Sequence, residues 1–166
     1  MKSYLLKALE EKLVETMLSS NQGIEDERPD GIFYNVPKSS LSSLNDLVDL
    51  SYNLDLTKND NLIYLISPKA KQEILKEDNK AFDNDKLLGK DFIIENKLDN
   101  GLIAYLDLSK LMITKFGDSE ITIDPFSKAY YGLHVVSLNS YFDFGYLDND
   151  YMRVGDFMAN NEQTEP

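Results

Sequence analysis

Five consecutive apolar residues, Leu62-Ile63-Tyr64-Leu65-Ile66, run directly into Ser67-Pro68. A run this short cannot span a bilayer, and it is too uniformly apolar for a strand with one wet face. It therefore predicts a strand covered on both faces, inside a sheet rather than at its edge. The serine offers a capping oxygen and the proline suits the first helical position, so a helix should begin at once. That helix is expected to run through Lys76 and to bury Ala70, Ile74 and Leu75. The other helices of the chain then have a sheet surface to cover.

Two such helices are legible upstream. Over residues 4–18, Leu5, Leu9, Leu13 and Met17 recur every four residues, widened by Leu6, Val14 and Leu18, with Lys7, Glu10, Glu11, Lys12 and Glu15 opposite. Asn21-Gln22-Gly23 should end this helix, with Gly23 as a left-handed cap. Residues 24–40 read as an acidic, turn-rich connector: Glu25-Asp26-Glu27 stays in water, Arg28-Pro29-Asp30-Gly31 turns, and Ile32 to Tyr34 form a brief strand. Ser39 to Ser43 offer N-caps for a second helix over 41–52, whose apolar face is Leu41, Leu44, Leu47 and Val48. Leu54 to Asp60 reads as a connector.

The second half is rich in strand formers, and Leu87 to Phe144 is expected to fold as a multi-stranded sheet. Glu77 to Lys86 precedes it as an exposed acidic loop. Gly89 should take a conformation that other residues avoid. Strands are expected at 92–94, 102–106 and 111–116, with a hairpin turn at Asp99-Asn100-Gly101 and another turn at Gly117-Asp118. Ile121 and Ile123 alternate before Asp124-Pro125 breaks the strand. A long strand is expected over 131–144, carrying Leu133, Val135, Val136, Leu138, Tyr141, Phe142 and Phe144. After a turn at Leu147–Asp150, Tyr151 to Val154 should pair back, and 158–166 should be a disordered tail. The class is α+β: a mixed central sheet flanked by helices.

A chain of 166 residues fits one domain and can bury roughly two-thirds of its unfolded surface. Cysteine is absent, which removes disulfides, thiolate metal sites and cysteine nucleophiles together. Carboxylates outnumber basic residues 29 to 17, for a formal charge of −12. Duplex DNA and anionic membranes should be repelled, since their capture rests on lysine and arginine. The charge fits a well-solvated acidic protein, or a surface that must stay near nucleic acid without adhering to it. No secretory leader opens the chain, so it is expected to be cytosolic where it is made.

Chemistry is hard to find. The single histidine, His134, falls in the expected long strand without a placed partner and reads as structural or exposed. No nucleophile elbow, phosphate-cradling glycine loop or paired-histidine metal helix occurs. Asp83-Asn84-Asp85 and Asp148-Asn149-Asp150 lack the glycine and distal glutamate of a calcium loop and read as solvated turns. No catalytic residue, metal ligand or cofactor is expected. Tyr130, Tyr131, Tyr141, Tyr146 and Tyr151 crowd the C-terminal part and read either as core or as a surface that meets another protein.

Several segments together resemble the tailed-phage major capsid protein family, whose Hong Kong 97-type fold encapsulin shells share. Leu18-Ser-Ser-Asn-Gln-Gly23 followed by Pro29-Asp-Gly-Ile32 looks like that family's Asn-Gly-Pro-x-Gly-Ile loop after a helix. Leu62–Ile66 with Ser67-Pro68 resembles its strand, Asn-Pro, helix unit. Leu87-Leu88-Gly89 with Phe92-Ile93-Ile94 resembles its Leu-Leu-Gly-x-Pro-Val-Val segment, with Asp91 where the family often has proline. Leu106-Asp107-Leu108-Ser109-Lys110 to Ile113 is similar to its Gly-Asp-Phe-Ser-x-x-Tyr-x-Ile run. Asp124-Pro125-Phe126 and the strand to Tyr141-Phe142-Asp143 resemble its closing segment. Each match is short, and the specificity lies in their order along residues 4–157.

The resemblance implies the C-terminal portion of such a protein, because the family's N-terminal arm, extended hairpin loop and long spine helix have no counterpart here. Residues 1–23 would be a peripheral-domain-like helix, 24–130 an axial-domain-like core, and 131–157 a long strand returning to the peripheral region. The implied role is a phage or prophage icosahedral capsid subunit, made in the bacterial host cytoplasm and located in the virion. An encapsulin-like cellular shell protein or a small acidic ligand-binding domain are the alternatives. The implied partners are copies of itself in five- or six-membered rings, and scaffold or portal proteins, with no sequence-specific nucleic-acid binding and no membrane. Asp78, Asp83 and Asp85 are expected near the ring centre, where like charges make association strengthen with salt. Tyr141, Tyr146 and Tyr151 complete the candidate contact residues.

Overall fold

The computed structural model describes residues 2–21, 23, 29–55 and 61–157. Its centre is a five-stranded mixed sheet in the order β1 (Lys38–Ser40), β9 (Met152–Asp156), β6 (Leu102–Asp107), β2 (Leu62–Ile66), β5 (Phe92–Ile94). The apolar run Leu62–Ile66 lies inside this sheet, antiparallel to β6 and parallel to β5. Side-chain alternation then builds two cores. Leu62, Tyr64 and Ile66 point to one side with Ile103 and Tyr105, and Leu65 points to the other with Leu102, Ala104, Leu106, Met152 and Val154. All six residues of β6 are buried, as expected for a strand covered on both faces.

The first core is roofed by α2 (Leu44–Asp55) and α3 (Pro68–Glu77). Ser67 caps α3 by accepting from the Ala70 N–H at 3.2 Å, with Pro68 at the first turn. Ala70 and Ile74 are buried, whereas Leu75 is 41% exposed. Helix α2 starts three residues later than expected. The Ser43 hydroxyl accepts from the Asp46 N–H while the Asp46 carboxylate accepts from the Ser43 N–H at 2.9 Å, a reciprocal cap. These bonds, led by those from Ser42, hold the Asp46 carboxyl below its ordinary range. The buried face is Leu47, Leu50 and Leu54, and Val48, at the margin of that face, is exposed. The connector expected at 54–60 overlaps the helix end, and residues 56–60 lie outside the described residues.

The second core is closed by the C-terminal end of α1 (Lys2–Met17) and by a turn at Ile32–Asn35. That turn replaces the brief strand expected at Ile32–Tyr34. The Ile32 N–H donates to the Met17 carbonyl at 2.8 Å, so Ile32 and Phe33 plug the core beneath the helix end instead of joining the sheet. Gly23 is not the helix cap: it lies six residues beyond Met17, and its N–H donates to the Asp30 carboxylate at 2.6 Å.

Three further expectations are corrected. Asp99-Asn100-Gly101 does turn, with Gly101 at φ +83°, but β5 and β6 do not form a hairpin because β2 lies between them. Gly117-Asp118 is a bulge, not a turn, so β7 (Leu111–Asp124) continues through it and pairs along its length with β8 (Val135–Tyr146). The β7–β8 pair is a separate ribbon outside the central sheet. His134 falls just before β8 and is exposed, since Gly132 in a left-handed conformation ends a helical turn there. The expected return of the chain is observed for Met152 to Val154, which pair with β6 and, at Val154, with β1, while Tyr151 ends a short helical turn; Met152 and Val154 are core. The expected tail at 158–166 lies outside the described residues.

Candidate subunit-contact surfaces

The segment expected to be a plain acidic loop is a small hairpin, β3 (Phe82–Asp83) and β4 (Lys86–Leu87). Ala81, Phe82 and Leu87 anchor it between the charges: Ala81 and Leu87 are buried, and the Phe82 ring meets Phe92 edge-on at 5.1 Å. Lys71 lies over both rings, 5.4 and 5.9 Å from their centres. The hairpin is thus held against β5, an edge strand of the central sheet. Asn84 and Asp85, at φ 49° and 58°, make its tight turn, which suits their tolerance of left-handed geometry.

Asp78, Asp83 and Asp85 all lie exposed on this segment. Asp78 closes α3, donating its N–H to the Ile74 carbonyl, while its carboxylate accepts from the Lys80 N–H at 2.8 Å. Asp83 accepts from the Asn84 amide at 3.1 Å. Lys86 pairs with Asp91 at 3.1 Å, and Glu73 pairs with Lys69 and Lys76 on the helix. From Lys69 to Asp91 there are six lysines and six carboxylates, so this surface is neutral although the chain carries −12.

The tyrosines separate. Tyr146 spends its hydroxyl inside the chain. It accepts from the Asp107 N–H at 3.0 Å and shares its own proton between the carbonyls of Asp107, at 2.8 Å, and Tyr151, at 2.9 Å. Burial pushes its pKa up to about 12, with the nearby Asp107 and Asp148 charges acting in the same direction. Tyr151 is half-buried under Lys110, whose ammonium lies 4.9 Å from the ring centre. Tyr141 stands 70% exposed beside its cross-strand partner Phe116.

The alternation within each strand gives the ribbon one mainly apolar face. The register, with its two-residue shift at the bulge, places Leu111, Ile113, Ile121 and Ile123 on one face with Val136, Leu138, Phe142, Phe144 and Tyr146. Lys115 and Ser140 share that face, and the other face mixes Thr114, Glu120, Thr122, Ser137, Asn139 and Asp143 with Met112, Phe116, Val135 and Tyr141. The root of the apolar face packs into the second core through Leu111, Phe144 and Tyr146. Farther out, α1 leans on β8 across an open groove of about 310 Å³ lined by Leu9, Leu13, Phe142 and Phe144. Beyond that, Ile121 and Ile123 are 47% and 62% exposed. Among the described residues, no group of three or more histidine, aspartate and glutamate side chains is arranged to hold a metal ion.

No protein-family model matches the sequence, and no curated protein matches it. Solved structures do match in fold. The capsid of the native GTA particle superposes over 95% of this chain and 72% of its own, with a TM-score of 0.71 at 16% identity. The satellite phage P4 procapsid covers 94% of this chain and 65% of its own, with a TM-score of 0.66 at 13% identity. The encapsulin of Synechococcus elongatus covers 90% and 63%, with a TM-score of 0.56 at 16% identity. This chain spans about two-thirds of the length of those it resembles. Its α+β architecture, a mixed central sheet between helices with an outlying ribbon, is the fold of the phage major capsid proteins.

Proposed function

We propose that the chain is a structural subunit of a phage or prophage icosahedral capsid, working by shape and self-association rather than by catalysis. The observation that carries this reading is the match to the native GTA capsid over 95% of the chain. In this reading the central sheet with α2, α3 and the β3–β4 hairpin is the axial part, and α1 with the ribbon belongs to the peripheral part. Identical copies meet head to tail, and the rotation closes a ring of five or six. The exposed apolar face of the ribbon fits a subunit of an assembly better than a solitary protein. The acidic balance fits a container wall that does not bind its DNA. Its location is then the virion, after synthesis in the host cytoplasm, with scaffold or portal proteins as further partners.

The likeness to the encapsulin favours one second reading, a cellular shell enclosing protein cargo. Electron microscopy and sedimentation of the purified chain over a range of concentration and salt test the first point. Rings or shells are expected, favoured by salt because copies of a −12 chain repel. Monomers throughout, with binding or turnover of a small molecule, would overturn the capsid reading. Nucleic acid inside particles isolated from cells separates a virion from a cargo shell.

A further inference from the structure

Leu88 is the one bulky residue among the described residues with a left-handed backbone, φ 50°. It forms a second tight turn with Gly89 at φ 79°, closed by bonds of 2.9 and 3.0 Å between the backbones of Leu87 and Lys90. Asn35, Asn84 and Asp85, the other non-glycine residues with positive φ, are of the types that tolerate it, and leucine is not. Its side chain is also 36% exposed, so packing within the chain offsets only part of that strain. Strain of this kind persists where another contact depends on it.

The adjoining strand points the same way. Strand β5 is an edge whose Phe-Ile-Ile sequence has no lysine, proline or bulge; the β3–β4 hairpin packs on its Phe92, while Ile93 and Ile94 stay open. Ile93 and Ile94 are 47% and 40% exposed. The opposite edge, β1, is polar, carries Lys38 and follows Pro37. Around Leu88 the charges balance, six lysines against six carboxylates from Lys69 to Asp91, so this is where two copies of a −12 chain can approach without net repulsion. A nucleic acid finds no positive field there, and a cationic partner finds no negative one.

We propose that Leu88, held outward by its strained turn, is the apolar anchor of the contact between neighbouring copies, with Ile93 and Ile94 beside it. This rests on the shell-subunit reading and adds to it the contact residue and the reason for the strain. Leu88→Asn is the test, since asparagine tolerates the backbone and removes the apolar anchor. Val48→Asn, at a more exposed apolar site on α2, is the control. Wild-type and both variants are compared by sedimentation velocity over a wide concentration range, and by thermal melting under conditions where each is monomeric. Leu88→Asn should melt no lower than wild-type yet need at least about tenfold higher concentration to assemble, as burial of a leucine implies. Val48→Asn should assemble like wild-type. Assembly of Leu88→Asn at the wild-type concentration, or a lower melting point for it, overturns the anchor and leaves the shell reading standing. Equal weakening by both variants also overturns it. A wild-type chain monomeric at every concentration overturns the shell reading and the anchor with it.

Discussion

Among the described glycines Gly31 has the closest backbone neighbour, and alanine there should be severe. A Cβ built at Gly31 would stand 1.9 Å from the Ser19 carbonyl oxygen and 2.6 Å from its carbon. Neither is a flexible side-chain tip, so one backbone segment must retreat by more than about 1 Å to restore van der Waals spacing. Two hydrogen bonds cross that seam: Gly31 N–H to the Asn21 carbonyl at 3.2 Å and Ile32 N–H to the Met17 carbonyl at 2.8 Å. Losing or stretching both costs about 1–3 kcal/mol, and overpacking adds about 1–3 kcal/mol. Ile32 and Phe33, which plug the second core, would move with the seam. A total of about 2–6 kcal/mol corresponds to a fall in Tm of roughly 4–24 °C for a domain of this size. Circular-dichroism melts of Gly31→Ala at pH 7 read this directly. Gly145→Ala is the control, because nothing lies within 4 Å of its added methyl. Equal melting of the two variants would refute the close approach and the way the chain is pinned beneath α1.

Gly155→Ala should also destabilise, because its Cβ would meet Leu41 side-chain atoms at 2.4 and 2.7 Å in a buried site. About 1–3 kcal/mol is expected by denaturant titration. Tyr146→Phe removes the hydroxyl that ties the ribbon root to Asp107 and Tyr151, and should lower stability by about 1–2 kcal/mol in chemical unfolding at pH 7. Because the folded pKa of Tyr146 is raised, its contribution is fully present below pH 10 and fades as pH rises from 10 toward about 12. The phenylalanine variant should lose that part of the alkaline fall, and an unchanged alkaline profile would contradict the assignment. Ser67→Ala uncaps α3 at a buried position, and about 1 kcal/mol should be lost in the same titration.

What could be read beforehand was whatever local chemistry decides. Leu62–Ile66 announced a buried strand because no residue in it tolerates water, and Ser67-Pro68 marked a helix start because caps act within one turn. What could not be read was set by distant partners. Val48 borders Leu44 and Leu47 on the helix surface, and only the sheet's placement under Leu47, Leu50 and Leu54 decides that it stays outside. Asp99-Asn100-Gly101 turns as its residues demand, but β2, more than thirty residues earlier, occupies the place between the strands it joins. Each strand of the ribbon alternates on its own, but only the pairing across the two-residue shift at Gly117–Ser119 sets Ile121 and Ile123 beside Leu138 and Val136 on one face. Asp78, Asp83 and Asp85 could be placed on an exposed segment beforehand because charge keeps them in water. The left-handed Leu88 could not, because Leu-Leu-Gly signals the glycine's conformation and hides the leucine's.

Strand β9 is the last element of the described chain, yet it lies inside the sheet between β1 and β6. Its partner β1 pairs with it in parallel, Lys38 opposite Val154, across more than a hundred residues of chain. During synthesis, then, every other strand is made while the sheet still has a gap. Strand β6 has an open apolar flank and β1 has nothing to pair with until Met152–Asp156 arrives. Such long-range closure is slow, and it leaves unpaired edges exposed meanwhile. The central sheet can close only after Met152–Asp156 has been translated, and a nascent chain stalled before residue 152 would be a sticky intermediate with an incomplete sheet.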